Sequence, residues 1–256
     1  MQAVSDSKKV RKLYKKTESL VDKKTHYCSG CSHGLVHKLI AEVIDELDIQ
    51  KKTVVIAPVG CAVLLYDYIE CDSVEAAHGR APAIATGIKR VKPDNIVISY
   101  QGDGDLLSIG MAETIHAANR GENITVIFIN NTNYGMTGGQ MAPTTIVGQK
   151  TTTTIQGRNP ATEGYPIKAC ELLNILEAPY YIERCIVTNV KSIIKTKKSI
   201  KKAINYQIEG KGYSFVEILS NCPTNWGMMP ADANKWIEEK LTSIYPVQVF
   251  RDRGEE

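Results

Sequence analysis

The sequence lacks the features that would place it in a membrane, secreted or nucleic-acid-binding class. No apolar run approaches the ~18 residues that indicate a membrane-spanning helix. The N-terminal region has no hydrophobic core of the kind found in a secretory signal peptide. A formal net charge of +3 is too small to indicate nucleic acid as a partner. We therefore expect a cytoplasmic protein that binds neither a membrane nor nucleic acid.

Cysteine is present in an odd number, seven, and the chain is too long for a small secreted scaffold built on disulfides. These cysteines are better explained as metal ligands together with a few core thiols. The chain has 256 residues, which is enough to bury a full core as one α/β domain. We predict a basic, solvated extension over residues 1–26, a folded domain over residues 27–245, and a charged tail over residues 246–256 that extends toward a partner.

Residues 96–131 predict a strand–helix–strand unit. Residues 96–100 are short and β-branched, and residues 124–129 are apolar without alternation, as in a strand buried on both faces. Apolar residues recur between them with helical spacing, and Arg120-Gly121 is a typical helix end. Because the crossover makes the two strands parallel, we predict an α/β fold with a mostly parallel sheet and helices on both faces.

Polar residues follow both of these strands. The run Gly102-Asp103-Gly104-Asp105 comes after the first strand, and Asn131 follows the second. Parallel strands end at one edge of a sheet, where open α/β folds bind ligands. Glycines allow a close approach of the backbone, and the helix that follows directs free N–H groups toward an anion. Carboxylate, amide and carbonyl oxygens suit Mg²⁺, which often also takes phosphate oxygens.

Four cysteines form a plausible thiolate site near this edge. Cys28 and Cys31 lie two residues apart in a turn before a helix, a spacing compatible with zinc, a redox disulfide or an iron–sulfur cluster. Cys61 and Cys222 each follow a further predicted strand. If those strands are parallel to the central pair, both thiols share the edge that carries Asp103. The remaining cysteines are better explained by core packing; they are Cys71, Cys170 and Cys185.

A long run rich in Gly, Thr and Asn covers residues 132–164. A connection of this length is usually functional or disordered, so we interpret it as an active-site loop, with a flexible surface loop as the alternative. His78, before a helix start, is either a satisfied core histidine or a residue at the cofactor's edge.

Six motifs in this order closely resemble the β subunit of 2-oxoacid:ferredoxin oxidoreductases, and its 2-oxoisovalerate and 2-oxoglutarate branches are the most similar. They are Tyr27 to Gly34, Val59 to Cys61, His78 to Ala81, Gly102 to Asp105, Tyr134 to Gln140, and Asn221 to Thr224. The resemblance implies a thiamine diphosphate-binding fold that holds this cofactor, Mg²⁺ and one [4Fe–4S] cluster.

The resemblance also implies a role for each motif residue. It assigns Mg²⁺ to Asp103, Asn131 and the carbonyl of Asn133, and the cluster to Cys28, Cys31, Cys61 and Cys222. The expected cofactor-binding residues are Gly60, His78, Gly102, Asp103, Gly104, Asp105, Asn131, Asn133, Tyr134, Gly135, Met136 and Thr137.

The implied reaction converts a 2-oxoacid, coenzyme A and oxidised ferredoxin to acyl-CoA, CO₂ and reduced ferredoxin. The glutamate that activates thiamine is expected from a neighbouring α subunit, so the chain should be active only with that partner, with γ or δ subunits as further partners. Glu70, Glu75 and Glu113 are in-chain candidates, but none lies in a motif for this role. Apolar residues after Cys61, together with Met136, favour a branched-chain or aromatic 2-oxoacid over 2-oxoglutarate, with the branched-chain acid preferred.

Two alternatives compete with this interpretation. A non-redox thiamine diphosphate decarboxylase or carboligase subunit would use Asp103 and Asn131 but would leave the four cysteines unexplained. A zinc-stabilised binding module would use the cysteines, and its glycine–aspartate turn would be incidental.

Overall fold

A seven-stranded sheet forms the centre of the protein in the computed structural model, which describes residues 15–255. A two-stranded hairpin of β5 and β6 lies apart from it. The strands are β1 (Thr53–Pro58), β2 (Asp72–Ala76), β3 (Ile96–Gly102), β4 (Thr125–Asn130), β5 (Asn133–Tyr134), β6 (Gln140–Met141), β7 (Tyr181–Ile186), β8 (Ser214–Leu219) and β9 (Val249–Asp252).

Helices cover both faces of the sheet. They are α1 (His33–Glu46), α2 (Ala81–Val91), α3 (Met111–Asn119), α4 (Pro160–Glu163), α5 (Ala169–Asn174), α6 (Val190–Ile208), α7 (Pro223–Trp226), α8 (Pro230–Trp236) and α9 (Thr242–Ile244). Helices α1 and α6 pack on one face, and α2, α3 and α5 pack on the other. Among residues 15–255, no helix has both the length and the apolar character needed to cross a bilayer.

The sheet order is β2-β1-β3-β4-β8-β7-β9, and every pair is parallel except β7 with β9. In β4, Val126 and Phe128 face one helical layer while Ile127 and Ile129 face the other. Successive side chains of a strand point to opposite faces, so a strand covered on both sides must be apolar throughout. The predicted α/β fold, mostly parallel with helices on both faces, is confirmed.

Two edge strands were missed by sequence reasoning. Strand β2 is largely exposed and polar, so it has no apolar run to reveal it. The prediction that the C-terminal tail extends toward a partner is wrong for part of it. Its residues Val249–Asp252 form β9, which pairs with β7 of the same chain. This segment closes one edge of the sheet of its own chain.

Part of the predicted N-terminal extension also packs on the domain. The backbone and hydroxyl of Ser19 donate to the carboxylate of Asp45, and Leu20 forms an isolated antiparallel bridge with Ile69. These contacts place residues 18–20 on the body of the fold, so the solvated extension does not reach as far as residue 26. The lysines and arginine before residue 15, which made this segment basic, lie outside the described residues.

A buried ion network connects β7, β8 and the end of β4. Arg184 is fully buried, and its Nε donates to Oε2 of Glu217 over 2.8 Å, while its other nitrogens bind Glu171. Oε1 of Glu217 accepts from Nδ2 of Asn130 over 2.8 Å. Glu217 is itself fully buried, so its charge depends on these partners.

Replacing Arg184→Met should lower the free energy of unfolding by about 3–5 kcal/mol, because it leaves the carboxylate of Glu217 buried without its cation. Urea unfolding at pH 7 measures the loss. The double variant Arg184→Met/Glu217→Gln removes the unpaired charge and should regain part of this stability. If the double variant loses as much free energy of unfolding as Arg184→Met and Glu217→Gln lose when their separate losses are added, lost packing and not the buried charge causes the effect.

Candidate active site

The candidate site lies where four parallel strands end together. Asp103 follows β3, Asn131 follows β4, and Cys61 and Cys222 come after β1 and β8. Strands β1, β3, β4 and β8 are consecutive and parallel in the sheet, so their carboxyl ends share one edge. The structure thus brings these four residues to the common edge that the sequence predicted.

A pocket at this edge brings together all the residues predicted to contact the cofactor. They are Gly60, His78, Gly102, Asp103, Gly104, Asp105, Asn131, Asn133, Tyr134, Gly135, Met136 and Thr137. Sequence reasoning missed His33, Val59 and Ala62, which also line it. His33 and Val59 lie inside the first two motifs and Ala62 follows Cys61, so membership of or adjacency to a motif was the signal available.

Asp103 is a buried carboxylate held by two donors. Its Oδ1 accepts from the backbone N–H of Gly104 over 2.9 Å, and its Oδ2 accepts from the hydroxyl of Thr144 over 2.6 Å. Burial raises the pKa of Asp103 to about 7 despite these hydrogen bonds, because the charged form loses its water. A divalent cation against the carboxylate would favour the charged form again.

The two asparagines beside it supply further oxygens. Asn131 and Asn133 are both buried, and Oδ1 of Asn131 accepts from the backbone N–H of Asn133 over 3.4 Å. Oδ1 of Asn133 has no hydrogen-bond partner among the residues described. Thr132 between them has a φ of +59°, a strained conformation for a β-branched residue. A buried oxygen without a partner, beside a strained turn, is suited to a cation ligand.

Asp105 organises the opposite side of the pocket. Its Oδ1 lies 2.6 Å from Nδ1 of His78 and accepts from the backbone N–H of Gly79 over 2.7 Å. Its Oδ2 accepts from Nε2 of Gln101 over 2.6 Å. The side chain of His78 is 28% exposed and lines the pocket, so it is not a core histidine.

Gly104 is required by its contact with Tyr134. A Cβ at position 104 would overlap Cε1 of the Tyr134 ring, whereas a Cβ on Gly102 would meet nothing within 4 Å. The tyrosine ring therefore covers the backbone that follows Asp103.

The four predicted cluster cysteines line one cavity of about 200 Å³ beside this pocket. Both cavities are bordered by Cys61, Asn131 and Gly135. A Cβ on Gly135 would lie 3.1 Å from Sγ of Cys61 and 3.7 Å from Sγ of Cys222. The backbone of Gly135 therefore lies close to the thiols, and a side chain there would press on Sγ of Cys61.

Hydrogen bonds hold the turn of Cys28 and Cys31 against the end of β8. The backbone N–H of Cys31 donates to the carbonyl of Cys28 over 3.1 Å, with Gly30 at a φ of +77°. Ser32 donates from both its backbone N–H and its hydroxyl to Oδ1 of Asn221, each over 3.0 Å. The turn is thereby fixed to the residue that precedes Cys222.

Burial disfavours the thiolate form of three of these cysteines. It raises the pKa of Cys31 to about 11 and that of Cys61 to about 12, and it also raises the pKa of Cys222. Within residues 15–255, no three His, Cys, Asp or Glu side chains converge closely enough to bind a single metal ion. A four-iron cluster takes one thiolate per iron, so its ligands need not meet at one point.

The other predicted features are also placed by the structure. Cys170 and Cys185 are buried in the core and Cys71 is partly buried, all outside the thiol cavity. None of the three glutamates considered as in-chain activators lines the pocket; these are Glu70, Glu75 and Glu113.

Comparison with known proteins places this geometry in context. Residues 59–218 match the family described as thiamine pyrophosphate enzyme, C-terminal TPP binding domain. The chain is 55% identical over 232 residues to the ketoisovalerate oxidoreductase subunit VorA of Methanothermobacter marburgensis, which covers 91% of this chain and 48% of VorA. It thus spans about half the length of that relative. It is 37% identical over 219 residues to the 2-oxoglutarate synthase subunit KorB of Methanocaldococcus jannaschii, covering 83% of this chain and 77% of KorB.

A solved structure is similar as well. The 2-oxoglutarate:ferredoxin oxidoreductase from Magnetococcus marinus, with 2-oxoglutarate, coenzyme A and succinyl-CoA bound, aligns with a TM-score of 0.71 at 28% identity. The alignment covers 80% of this chain and 67% of that chain.

The two glycines flanking Asp103 should respond differently to a methyl group. We expect Gly104→Ala to lower the free energy of unfolding by about 1–3 kcal/mol, because the added Cβ overpacks the ring of Tyr134. Gly102→Ala should change it by less than about 1 kcal/mol, since the space there is open. Chemical unfolding of both variants measures the difference, and equal losses would contradict the tyrosine contact.

Proposed function

This chain belongs to the thiamine diphosphate-binding subunits of 2-oxoacid:ferredoxin oxidoreductases, and from that premise we propose that it is a β subunit that carries the cofactor, Mg²⁺ and a [4Fe–4S] cluster. The observation that carries the proposal is the shared wall of two cavities. One cavity gathers Asp103, Asn131 and Asn133, and the other gathers the four thiols.

The first cavity is suited to a diphosphate bound through Mg²⁺. Asp103 supplies a carboxylate oxygen and Asn131 an amide oxygen, while Asn133 supplies a further oxygen. The exposed edge of His78, fixed by Asp105, provides a donor at the rim of the pocket. Thiamine diphosphate, when bound, supplies the electron sink for decarboxylation of a 2-oxoacid.

The second cavity is suited to an iron–sulfur cluster. Its four cysteines would bind iron as thiolates, because metal ligation displaces the thiol proton. Their spacing disfavours the zinc-module alternative, which needs ligands that converge on one ion. The non-redox decarboxylase alternative gives the four thiols no role. Electron transfer to a ferredoxin is therefore the better explanation of both cavities.

Catalysis by this chain should require a second subunit. No glutamate among residues 15–255 lines the cofactor pocket, so the carboxylate that activates thiamine would come from an α subunit, with γ or δ subunits completing the enzyme. All seven cysteines are free, which agrees with a reducing, cytoplasmic location. Coenzyme A would enter as the acyl acceptor, and the related enzyme from Magnetococcus marinus has coenzyme A bound.

The pocket favours a branched-chain 2-oxoacid. Val59, Ala62 and Met136 line it, and the side chains of Val59 and Met136 are exposed. These surfaces suit an aliphatic substrate side chain, whereas the second carboxylate of 2-oxoglutarate would need a cation. VorA, at 55% identity, is named a ketoisovalerate oxidoreductase subunit.

A substrate panel tests this function. The full chain, co-expressed with its partner subunits and purified without oxygen, should form acyl-CoA fastest from 2-oxoisovalerate, more slowly from 2-oxoglutarate, and from neither without coenzyme A. Mass spectrometry of the acyl-CoA and reduction of a ferredoxin are the two readouts. Turnover by this chain alone would contradict the need for a partner carboxylate, and CO₂ release without ferredoxin reduction would favour the non-redox alternative.

The two cofactor sites should be separable by mutation. Asp103→Ala should abolish Mg²⁺-dependent binding of thiamine diphosphate while iron and sulfide stay at wild-type amounts. Cys222→Ser should lose the cluster and keep cofactor binding, whereas Cys71→Ser, a partly buried thiol outside the cavity, should change neither. Calorimetry and iron analysis measure these outcomes, and loss of iron in Asp103→Ala would show that the sites are not independent.

A further inference from the structure

A buried arginine organises the long loop after β4. Arg158 is 5% exposed, and its five N–H groups all donate to backbone carbonyls. Nη1 donates to the carbonyls of Pro143 and Thr145 over 3.0 and 2.6 Å. Nε and Nη2 donate to the carbonyls of Gly164, Glu163 and Tyr165 over 2.9, 3.1 and 2.8 Å. One side chain therefore joins residues 143–145 to residues 163–165, two parts of the loop that lie about twenty residues apart in the sequence.

The carbonyls bound by Nη1 flank Thr144. The carbonyl of Thr144 itself accepts from the hydroxyl of Tyr245 over 2.6 Å. Three consecutive peptide groups are thus anchored by two buried side chains. The backbone of Thr144 and Thr145 has little freedom to shift while Arg158 is in place.

The hydroxyls of these two threonines contact both segments that supply the candidate magnesium ligands, one after β3 and the other after β4. Oγ1 of Thr144 donates to Oδ2 of Asp103 over 2.6 Å, and Oγ1 of Thr145 donates to the carbonyl of Thr132 over 2.6 Å. Both threonines are fully buried. The first contact orients the carboxylate after β3, and the second holds the strained residue between Asn131 and Asn133.

These contacts matter because Mg²⁺ requires ligands near ideal octahedral positions, at about 2.0–2.1 Å, and tolerates little displacement. Groups that orient metal ligands commonly change metal affinity by about 10–100-fold when they are removed. Neither threonine is itself among the predicted ligands. Each hydroxyl donates its one proton, to Asp103 from Thr144 and to Thr132 from Thr145, and Oγ1 of Thr145 also accepts from the backbone N–H of Ala142.

We propose that Thr144 and Thr145, anchored by Arg158, set the geometry of the magnesium site, with all three as positioning residues that do not touch the metal. The proposal rests on the proposed function, because it assumes that Asp103 and Asn131 bind Mg²⁺. The long loop then has a defined role, which is to fix the relative position of two ligands that come from separate strands.

Titration of Mg²⁺ at constant thiamine diphosphate tests the proposal on the full chain, with cofactor binding followed by calorimetry. Thr144→Val removes one hydroxyl and should raise the Mg²⁺ concentration for half-maximal binding about tenfold, the effect expected for losing an orienting contact. Arg158→Lys should raise it similarly, because one ammonium group cannot replace both the Nη1 contacts to residues 143 and 145 and the Nε and Nη2 contacts to residues 163–165. Saturating Mg²⁺ should restore cofactor binding in both variants, and iron content should be unchanged.

Matched controls separate positioning from general loss of stability. Arg251 donates to the carbonyls of Asn174 and Pro179, far from the pocket in the fold, so Arg251→Lys removes the same kind of contact elsewhere. Thr153 is an exposed threonine of the same loop that accepts from the backbone of Met141, and it serves as the control for Thr144 as Thr153→Val. Both controls should leave the Mg²⁺ midpoint within about twofold of wild type, whatever they do to the unfolding temperature.

An unshifted Mg²⁺ midpoint in Thr144→Val, or a shift no larger than in Thr153→Val, overturns the proposal, and it does so even if Arg158→Lys fails to fold. Wild-type chain that binds no thiamine diphosphate at any Mg²⁺ concentration overturns the proposed function and this inference together. Normal wild-type binding with unshifted variants overturns this inference alone.

Discussion

The parallel alignment of β1, β3, β4 and β8 is the constraint on which the rest of the structure depends. Parallel strands run in one direction, so whatever follows each of them emerges at the same edge. The strands themselves are buried on both faces and must be apolar, which leaves the chemistry to the residues just past their ends. Oxygen and sulfur donors from distant parts of the chain therefore meet without any of them being close in sequence.

Burial at this edge disfavours the charged forms of several side chains and leaves one amide oxygen without a hydrogen-bond partner among the described residues. Desolvation raises the pKa of Asp103 and of the thiols of Cys31 and Cys61, and Oδ1 of Asn133 has no partner within residues 15–255. Elsewhere the same protein pairs its buried charges, as Arg184 does with Glu217. A cation bound against the Asp103 carboxylate would favour its charged form, as Arg184 does for Glu217.

Sequence reasoning succeeded where a local pattern has one physical cause. The apolar strands around Asp103 and Asn131, and the cysteines after strand ends, are of this kind, and the structure brings these residues together as expected. Strand β2 and strand β9 were not visible because exposed edge strands carry no apolar run. The hydrogen bonds of Arg158 and Thr144 could not be predicted either, since they depend on how a long loop folds back across the sheet edge. The family resemblance supplied the ligand assignments, which residue spacing alone leaves open.

The contact of Gly135 with Cys61 and Cys222 has a consequence for how the two cavities could communicate. Position 135 contributes only main-chain atoms to this part of the boundary. If thiamine diphosphate and a cluster occupy the two cavities as proposed, an electron that passes between them at this point would meet no side chain of residue 135. Any larger residue there would thicken this barrier and slow the passage of charge, even if both cofactors were still bound.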